Sequence, residues 1–201
     1  MPDTVAQLAP GMQAGPWEGL RPPYSTIVAD PPWQMAHSGP PLDRSKRTRR
    51  GKPVTMTGTP YSTMSDREIG EMPVADLAAD DAHLYLWVVS SHMEHAYGIC
   101  RAWGFRPSQT LVWAKHPFGF APGGTFASVC EFLIFARRGH LAALSRPDRS
   151  WWSWPRGPHS VKPPAFYDLV ERVSPGPYLE LFARQPRLGW DSWGWGYEDA
   201  R

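Results

Sequence analysis

Four consecutive residues, Asp30-Pro31-Pro32-Trp33, combine an acceptor-only carboxylate, a stiffened backbone and a broad aromatic face. The prolines fix φ and carry no N–H, so the carbonyls between Asp30 and Trp33 face outward as acceptors. An indole is a surface on which a nucleobase stacks, above all one extruded from its strand. The ligand group that matches this set is the exocyclic amine of a base. Its two N–H bonds donate to the carboxylate and to a backbone carbonyl. Its lone pair, otherwise shared with the ring, is then turned toward an electrophile. Such a reaction needs no strong base, because the amine becomes acidic only after it is alkylated. Rate enhancement comes from positioning and from stabilising the developing ammonium. The competing structural reading is a tight Pro-Pro turn over a core tryptophan.

Two further features can serve the same chemistry. Lys162 directly precedes Pro163 at the start of a predicted helix, a place that suits an anion because the helix amides add their field to the lysine charge. Arg44-Ser45-Lys46-Arg47-Thr48-Arg49-Arg50-Gly51-Lys52 places six basic residues in nine. Following the Asp-Pro-Pro-Trp segment, this run reads as an arm that contacts phosphates beside a flipped base, with Arg47, Arg49 and Arg50 at its centre. A solvated charge run is the alternative.

The elements that must position these residues are visible in outline. Tyr24 to Ala29 is a short β-branched, apolar run that stops at the prolines, which places Asp30 at a strand's carboxyl end. Residues 34–60 are polar, basic and Gly/Pro-rich, and read as a long loop. Ser65-Asp66-Arg67-Glu68 is a capping box opening a short helix. Strands are predicted at His83–Val89, Ser108–Ala114, Cys130–Ala136, Tyr178–Ala183 and Trp190–Trp195, with a further one at 150–154. Helices are predicted over 91–103 and over Pro163–Val173, where Phe166, Leu169, Val170 and Val173 line one face. Mixed strands and helices with fully apolar strands indicate a three-layer α/β fold with a mainly parallel sheet. Such sheets bind ligands at the carboxyl ends of their strands, where Asp30 sits.

Length and composition narrow the class. The 201 residues suit one domain, expected over 24–201 behind a flexible tail at 1–23. A hydrophobic content of 42% is too high for a disordered chain. The net charge of +2 says little, so the basic run carries the electrostatic signal. Cys100 and Cys130 form no Cys-x-x-Cys pair, which argues against a disulfide framework and fits a reducing compartment. No apolar run has the length of a signal peptide core or a membrane span, so a cytoplasmic protein without membrane contact is expected. No metal is expected either: His92 and His95 lack a third ligand and read as a solvated face. No G-x-G-x-x-G occurs, which removes support for a nicotinamide dehydrogenase. Trp151, Trp152 and Trp154 read as stacking or packing residues, and Phe118 to Gly124 as a loop near the substrate.

With these residues in view, the chain resembles the MT-A70 family of adenine N6-methyltransferases, in its bacterial and phage form, from about Tyr24 to Trp195. The matching segments are Ala29 to Trp33, Pro60 to Ser65, Leu84 to Val88, Gly104-Phe105, Val112 to Lys115, Glu131 to Leu133, His159 to Pro163, Pro175 to Arg184 and Gly189 to Gly194. The resemblance implies a Rossmann-like methyltransferase fold with permuted motif order, and S-adenosyl-L-methionine as cofactor. It also implies nucleic acid as partner, DNA before RNA because no separate recognition domain is present, and pairing as a homodimer or heterodimer. Residue by residue, it implies that Asp30, Pro31, Pro32 and Trp33 form the target-amine pocket, with Asp30 also meeting the cofactor. Tyr61 falls in the target-side loop, Lys162 at the methionine carboxylate, and Glu180, Phe182, Arg184 and Gly194 along the cofactor. Two positions depart from the family pattern: Trp195 stands where Asn is common, and Cys130 where His is frequent. The alternative is a catalytically weak or silent nucleic-acid-binding subunit of the same fold. A methylase acting on cytosine N4 is a third reading that the tetrad alone permits.

Overall fold

The computed structural model describes residues 17, 19–34, 63–116, 126, 128–157 and 161–194. Its strands are β1 (Tyr24–Ala29), β2 (Ala78–Val88), β3 (Arg106–His116), β4 (Cys130–Arg138), β5 (Trp151–Pro155), β6 (Tyr178–Leu181) and β7 (Trp190–Trp193). Its α-helices are α1 (Asp66–Gly70), α2 (Met93–Ala102) and α3 (Pro164–Val173). The strands form one sheet in the order β5-β3-β4-β2-β1-β6-β7. β1 runs parallel to β2 and β6, β6 to β7, and β3 to β5, whereas β4 is antiparallel to both neighbours. Among the described strands only β4 is therefore reversed. The carboxyl ends of all the other strands meet its amino end along one edge.

Period-two alternation decides which helix covers which face. Ile27, Ala29, Leu84 and Leu86 point to the face covered by α1 and α2, where they pack with Ile69, Ala96 and Ile99. Val28, Tyr85 and Trp87 point to the other face and pack with Phe166 and Val170 of α3. The result is the three-layer, mainly parallel, Rossmann-like arrangement expected from the strand pattern. The capping box forms as read: the Glu68 amide donates to Ser65 Oγ at 3.3 Å, and the Ser65 amide to Glu68 Oε2 at 2.8 Å.

Several boundaries differ from the sequence reading. β2 begins at Ala78, five residues before His83, because its early part pairs with β4 through Ala82 and Arg138 while bulging away from β1. The exposed Asp80 and Asp81 in that stretch hide the strand from an apolar pattern. β6 ends at Leu181 because Phe182 turns into the left-handed region, with φ at 63°. The expected loose tail does not extend to Trp17 and residues 19–23. The Trp17 ring meets Trp193 edge-on at 4.9 Å, and Arg21 pairs with Asp191 at 2.8 Å. Apolar burial and a charge pair hold this segment against the sheet edge. Residues 1–16 lie outside the described part. Among the described residues no helix is long and apolar enough to cross a membrane.

One buried polar network has a consequence for stability. His83 Nε2 faces the Leu141 carbonyl at 3.2 Å, and its Nδ1 faces Ser174 Oγ at 2.7 Å. A carbonyl only accepts, so Nε2 carries the proton and Nδ1 accepts from Ser174. Tyr85 OH, 2.8 Å from Ser174 Oγ, completes the chain as donor. Burial, opposed by the Leu141 bond and aided by the Arg137 charge, lowers the His83 pKa below its ordinary 6.5. The unfolded chain therefore binds this proton more readily. Stability from neutral His83 is present above about pH 6.5 and is lost as pH falls through the lowered folded value. Thermal unfolding from about pH 8 to about pH 5 should show that loss, and His83→Gln should flatten it. An unchanged slope in the variant would exclude His83 as the source.

Candidate active site

The carboxyl edge of the sheet gathers the charged groups. Asp30 follows the last residue of β1, and its amide reaches the Leu181 carbonyl at 3.4 Å. Lys115 lies near the end of β3, Glu131 near the amino end of β4, and Lys162 two residues before α3. Lys162 Nζ lies 2.8 Å from Asp30 Oδ2 and 3.1 Å from Glu131 Oε2. Lys115 pairs with the other oxygen of Glu131. The Lys162 ammonium sits 4.8 Å above the Trp87 ring. Two cations thus alternate with two carboxylates in one chain. Burial pushes the Lys162 pKa down, but Asp30 and Glu131 outweigh it and the net shift is upward. Burial pushes Glu131 up, and the two lysines reverse that to hold it below the usual carboxylate range.

A cavity of about 180 Å³ opens beside this chain, lined by Asp30, Lys162, Tyr167, Glu180, Phe182 and Arg184 among others. Tyr167 OH donates to Glu180 Oε1 at 2.7 Å. Burial raises the Glu180 pKa, with the Tyr167 hydrogen bond opposing it and the Asp30 charge adding to it. The left-handed turn at Phe182 sends the chain sharply out of β6, so that residues 182–187 form a wall rather than a longer strand. A non-glycine residue in that conformation costs roughly 1–3 kcal/mol, sustained here by the buried Phe182 ring, edge-on to Trp193 at 5.7 Å. Gly194 is not among the cavity's lining residues. It packs behind the turn, where a Cβ would run into the Ala183 backbone, and the Ala183 amide donates to the Trp193 carbonyl at 3.0 Å.

The target-amine segment departs from its sequence reading in two respects. Trp33 is only 6% exposed; its Nε1 donates to the Trp87 carbonyl at 3.0 Å and its ring stacks on His92 at 5.1 Å. The indole therefore belongs to the core and is not an open platform, because its apolar area packs there and its N–H finds a buried acceptor. The carbonyls of Pro31 and Pro32 are also already used. The Trp33 amide donates to Pro31 O at 2.9 Å and the Met64 amide to Pro32 O at 2.8 Å. Each carbonyl keeps one lone pair for a ligand. The Gln34 amide donates to Met64 O at 3.1 Å, so the stems on either side of 35–62 are joined at the motif. Tyr61, Arg47, Arg49 and Arg50 fall within that span and lie outside the described residues, as do Trp195 and residues 117–125.

The MT-A70 family model matches residues 24–196. The chain belongs to the MT-A70 family. Among its relatives is the Type II methyltransferase M.MunI of Mycoplasma sp, 30% identical over 183 residues, covering 85% of this chain and 76% of that one. The human N(6)-adenine-specific methyltransferase METTL4 is 29% identical over 198 residues, covering 89% of this chain and 38% of its own length. The N6-methyladenosine RNA methyltransferase MTA1 of Cryphonectria parasitica is 27% identical over 186 residues, covering 86% and 51%. The chain thus spans most of the bacterial relative and about half or less of the other two.

In this MT-A70 protein the fold brings Asp30, Lys162, Glu180, Phe182 and Arg184 to one cavity. Four site residues escaped the sequence reading: Lys115, Glu131, Tyr167 and His92. Lys115 and Glu131 carried a usable signal, since each is a charge abutting an apolar run, Leu111–Ala114 and Phe132–Ala136. Tyr167 showed none, being one more aromatic on an amphipathic helix. His92 does not sit on a solvated face. Its Nδ1 lies 2.6 Å from Asp66 Oδ1 while its ring backs Trp33, whereas the side chain of His95 is 60% exposed. Among the described residues no group of three possible metal ligands occurs.

Proposed function

We propose that this chain uses S-adenosyl-L-methionine to methylate the N6 amine of adenine in nucleic acid, DNA in preference to RNA. The observation that carries this reading is the juxtaposition of Asp30 with Lys162 and Glu180 at the carboxyl edge of the sheet. The residues present fit the cofactor. Lys162 offers a cation to a carboxylate, Asp30 and Glu180 offer acceptors to amino and hydroxyl groups, and the cavity has both polar and apolar walls. When bound, S-adenosyl-L-methionine supplies an electrophilic methyl group on its sulfonium.

The chain's own residues do the rest. Asp30 keeps one carboxylate oxygen beyond the one held by Lys162, and that oxygen accepts an amine N–H. The remaining lone pairs of Pro31 and Pro32 lie beside it for the second N–H. The Asp30 charge stabilises the ammonium that develops as the N–C bond forms, and the site is largely shielded from water, which strengthens that interaction. The cytosine reading loses ground to the family's own chemistry. The Type II methyltransferase M.MunI among the relatives supports DNA.

Incubation with radiolabelled S-adenosyl-L-methionine and adenine-containing DNA and RNA oligonucleotides, followed by nucleoside analysis, tests the proposal. Label in N6-methyladenine is the expected product. A cofactor-bound protein that labels neither polymer would sink it. The basic run gives a separate result: changing Arg47, Arg49 and Arg50 to Ala should weaken oligonucleotide binding and lower its log–log salt slope by roughly 2–3, one unit per lost phosphate contact. An unchanged slope would make the run a solvated segment.

A further inference from the structure

A second, larger cavity lies on the α3 face of the sheet, away from the carboxyl edge. It holds about 630 Å³ between the start of β3, the end of β4, the first residues of β5 and the 143–150 segment. That size suits a small ligand of nucleotide dimensions. Arg137, Arg146, Arg149 and Trp152 line it. Among the described residues, the one ion pair at this cavity joins Arg149 to Asp148, at 2.8 Å and 3.0 Å. Arg137 and Arg146 therefore face it with no carboxylate partner. Arg137 Nε is buried and has no hydrogen-bond partner, although its guanidinium lies 5.4 Å over the Phe135 ring. A buried guanidinium donor left unsatisfied is a standing demand for an acceptor. Trp152 is held flat against Trp154, at 5.4 Å and 13°, so its orientation is set in advance.

We propose that this cavity is a nucleotide site. Arg137 and Arg146 take the phosphate, and Trp152 takes the base by stacking. Guanidinium forks match phosphate oxygens, and indole faces accept any base. Two sources supply this chemistry: a free mononucleotide, or a nucleotide of the substrate strand itself. The strand source rests on the methyltransferase reading above. It is geometrically reasonable because Pro164, at the start of α3, lines the first cavity and Val173, at its end, lines the second. The ten-residue helix spans about 15 Å between them, a few nucleotides of strand.

The test uses the full chain, with oligothymidylate, adenosine 5′-monophosphate and inorganic phosphate as probes in calorimetric titrations. Oligothymidylate has no adenine, so the result does not depend on whether the chain methylates that base. Arg146→Ala, on an exposed residue, and Arg137→Gln should each weaken nucleotide binding about tenfold or more. Trp152→Leu should weaken adenosine monophosphate and oligothymidylate but leave inorganic phosphate unchanged. Arg146→Ala should also lower the salt slope for oligothymidylate by about one. A larger loss of oligothymidylate than of monophosphate binding in Arg146→Ala assigns the site to the strand, and the reverse assigns it to a free nucleotide. Wild-type protein that binds neither, or an Arg146→Ala variant that binds both as well as wild type, overturns the proposal even if adenine methylation is observed. Loss of binding in the variants without any methylation would instead overturn the catalytic reading and leave this one standing.

Discussion

Asp30→Ala should lower methyl transfer to adenine by about a thousandfold or more while the chain still folds. Removing one preorganised electrostatic partner of a transition state costs about a hundredfold to a thousandfold. In the proposed reaction the carboxylate both orients the amine and faces the positive charge that forms on it, so the upper end applies. The fold should survive because Lys162 keeps Glu131, 3.1 Å away, and is not left as an unpaired buried charge. Asp30→Asn separates the two contributions. It retains an acceptor oxygen and removes the charge, so activity well below wild type but above that of the alanine variant is the expected result. Initial rates with labelled cofactor, alongside melting curves, give the answer. A fully active Asp30→Ala variant would place the reacting amine elsewhere.

Lys162→Met has the larger expected effect on stability. The ammonium sits between two carboxylates, with about a tenth of its side chain exposed. Removing one partner of a buried ion pair costs about 3–5 kcal/mol, because the remaining charge is left without compensation. For a domain of this size that corresponds to a melting temperature lower by roughly 10 °C. Cofactor affinity should fall with it, since the cation proposed for the cofactor carboxylate is gone.

The pH profile carries the sign. The Lys162 pKa is raised in the fold, so its stabilisation is complete below the ordinary lysine value of 10.5 and disappears as pH rises through the raised value. Glu131 is lowered, so its stabilisation is present above about 4.5 and disappears as pH falls through the lowered value. Between these limits the contribution of this pair should be constant in the wild-type protein, leaving the His83 slope superimposed on it. In Lys162→Met the acid limb should begin at higher pH, because Glu131 then has only Lys115. Equal acid limbs in the two proteins would mean that Lys162 does not stabilise ionised Glu131.

Local sequence was sufficient for much of this. Tyr24 to Ala29 ends at prolines that cannot continue a central strand, which alone placed Asp30 at a strand terminus. Ser65 and Glu68 sit three residues apart with the side chains that close a capping box. The spacing of Phe166, Leu169, Val170 and Val173 specified the buried face of α3. The Lys162-Pro163 pair marked that helix's entrance. Each of these readings depends on neighbours within one turn or one strand, where the chain's own geometry leaves few choices.

What only the tertiary structure decided involves partners far apart in the chain. Glu131 and Lys162 meet because β4 runs backwards and brings its amino end to the edge where the other strands finish; nothing local to either residue announces that reversal. Trp33 looked like an open platform, but the 54 residues separating it from the Trp87 carbonyl vanish on folding, and a buried N–H takes that acceptor. Arg137 looks unexceptional along its strand and becomes an unsatisfied donor only when the α3 face closes around it. The physical reason is the same each time. Backbone propensity and side-chain periodicity are short-range, whereas burial, and with it the energy of every charge and hydrogen bond, is set by whatever the whole fold brings alongside.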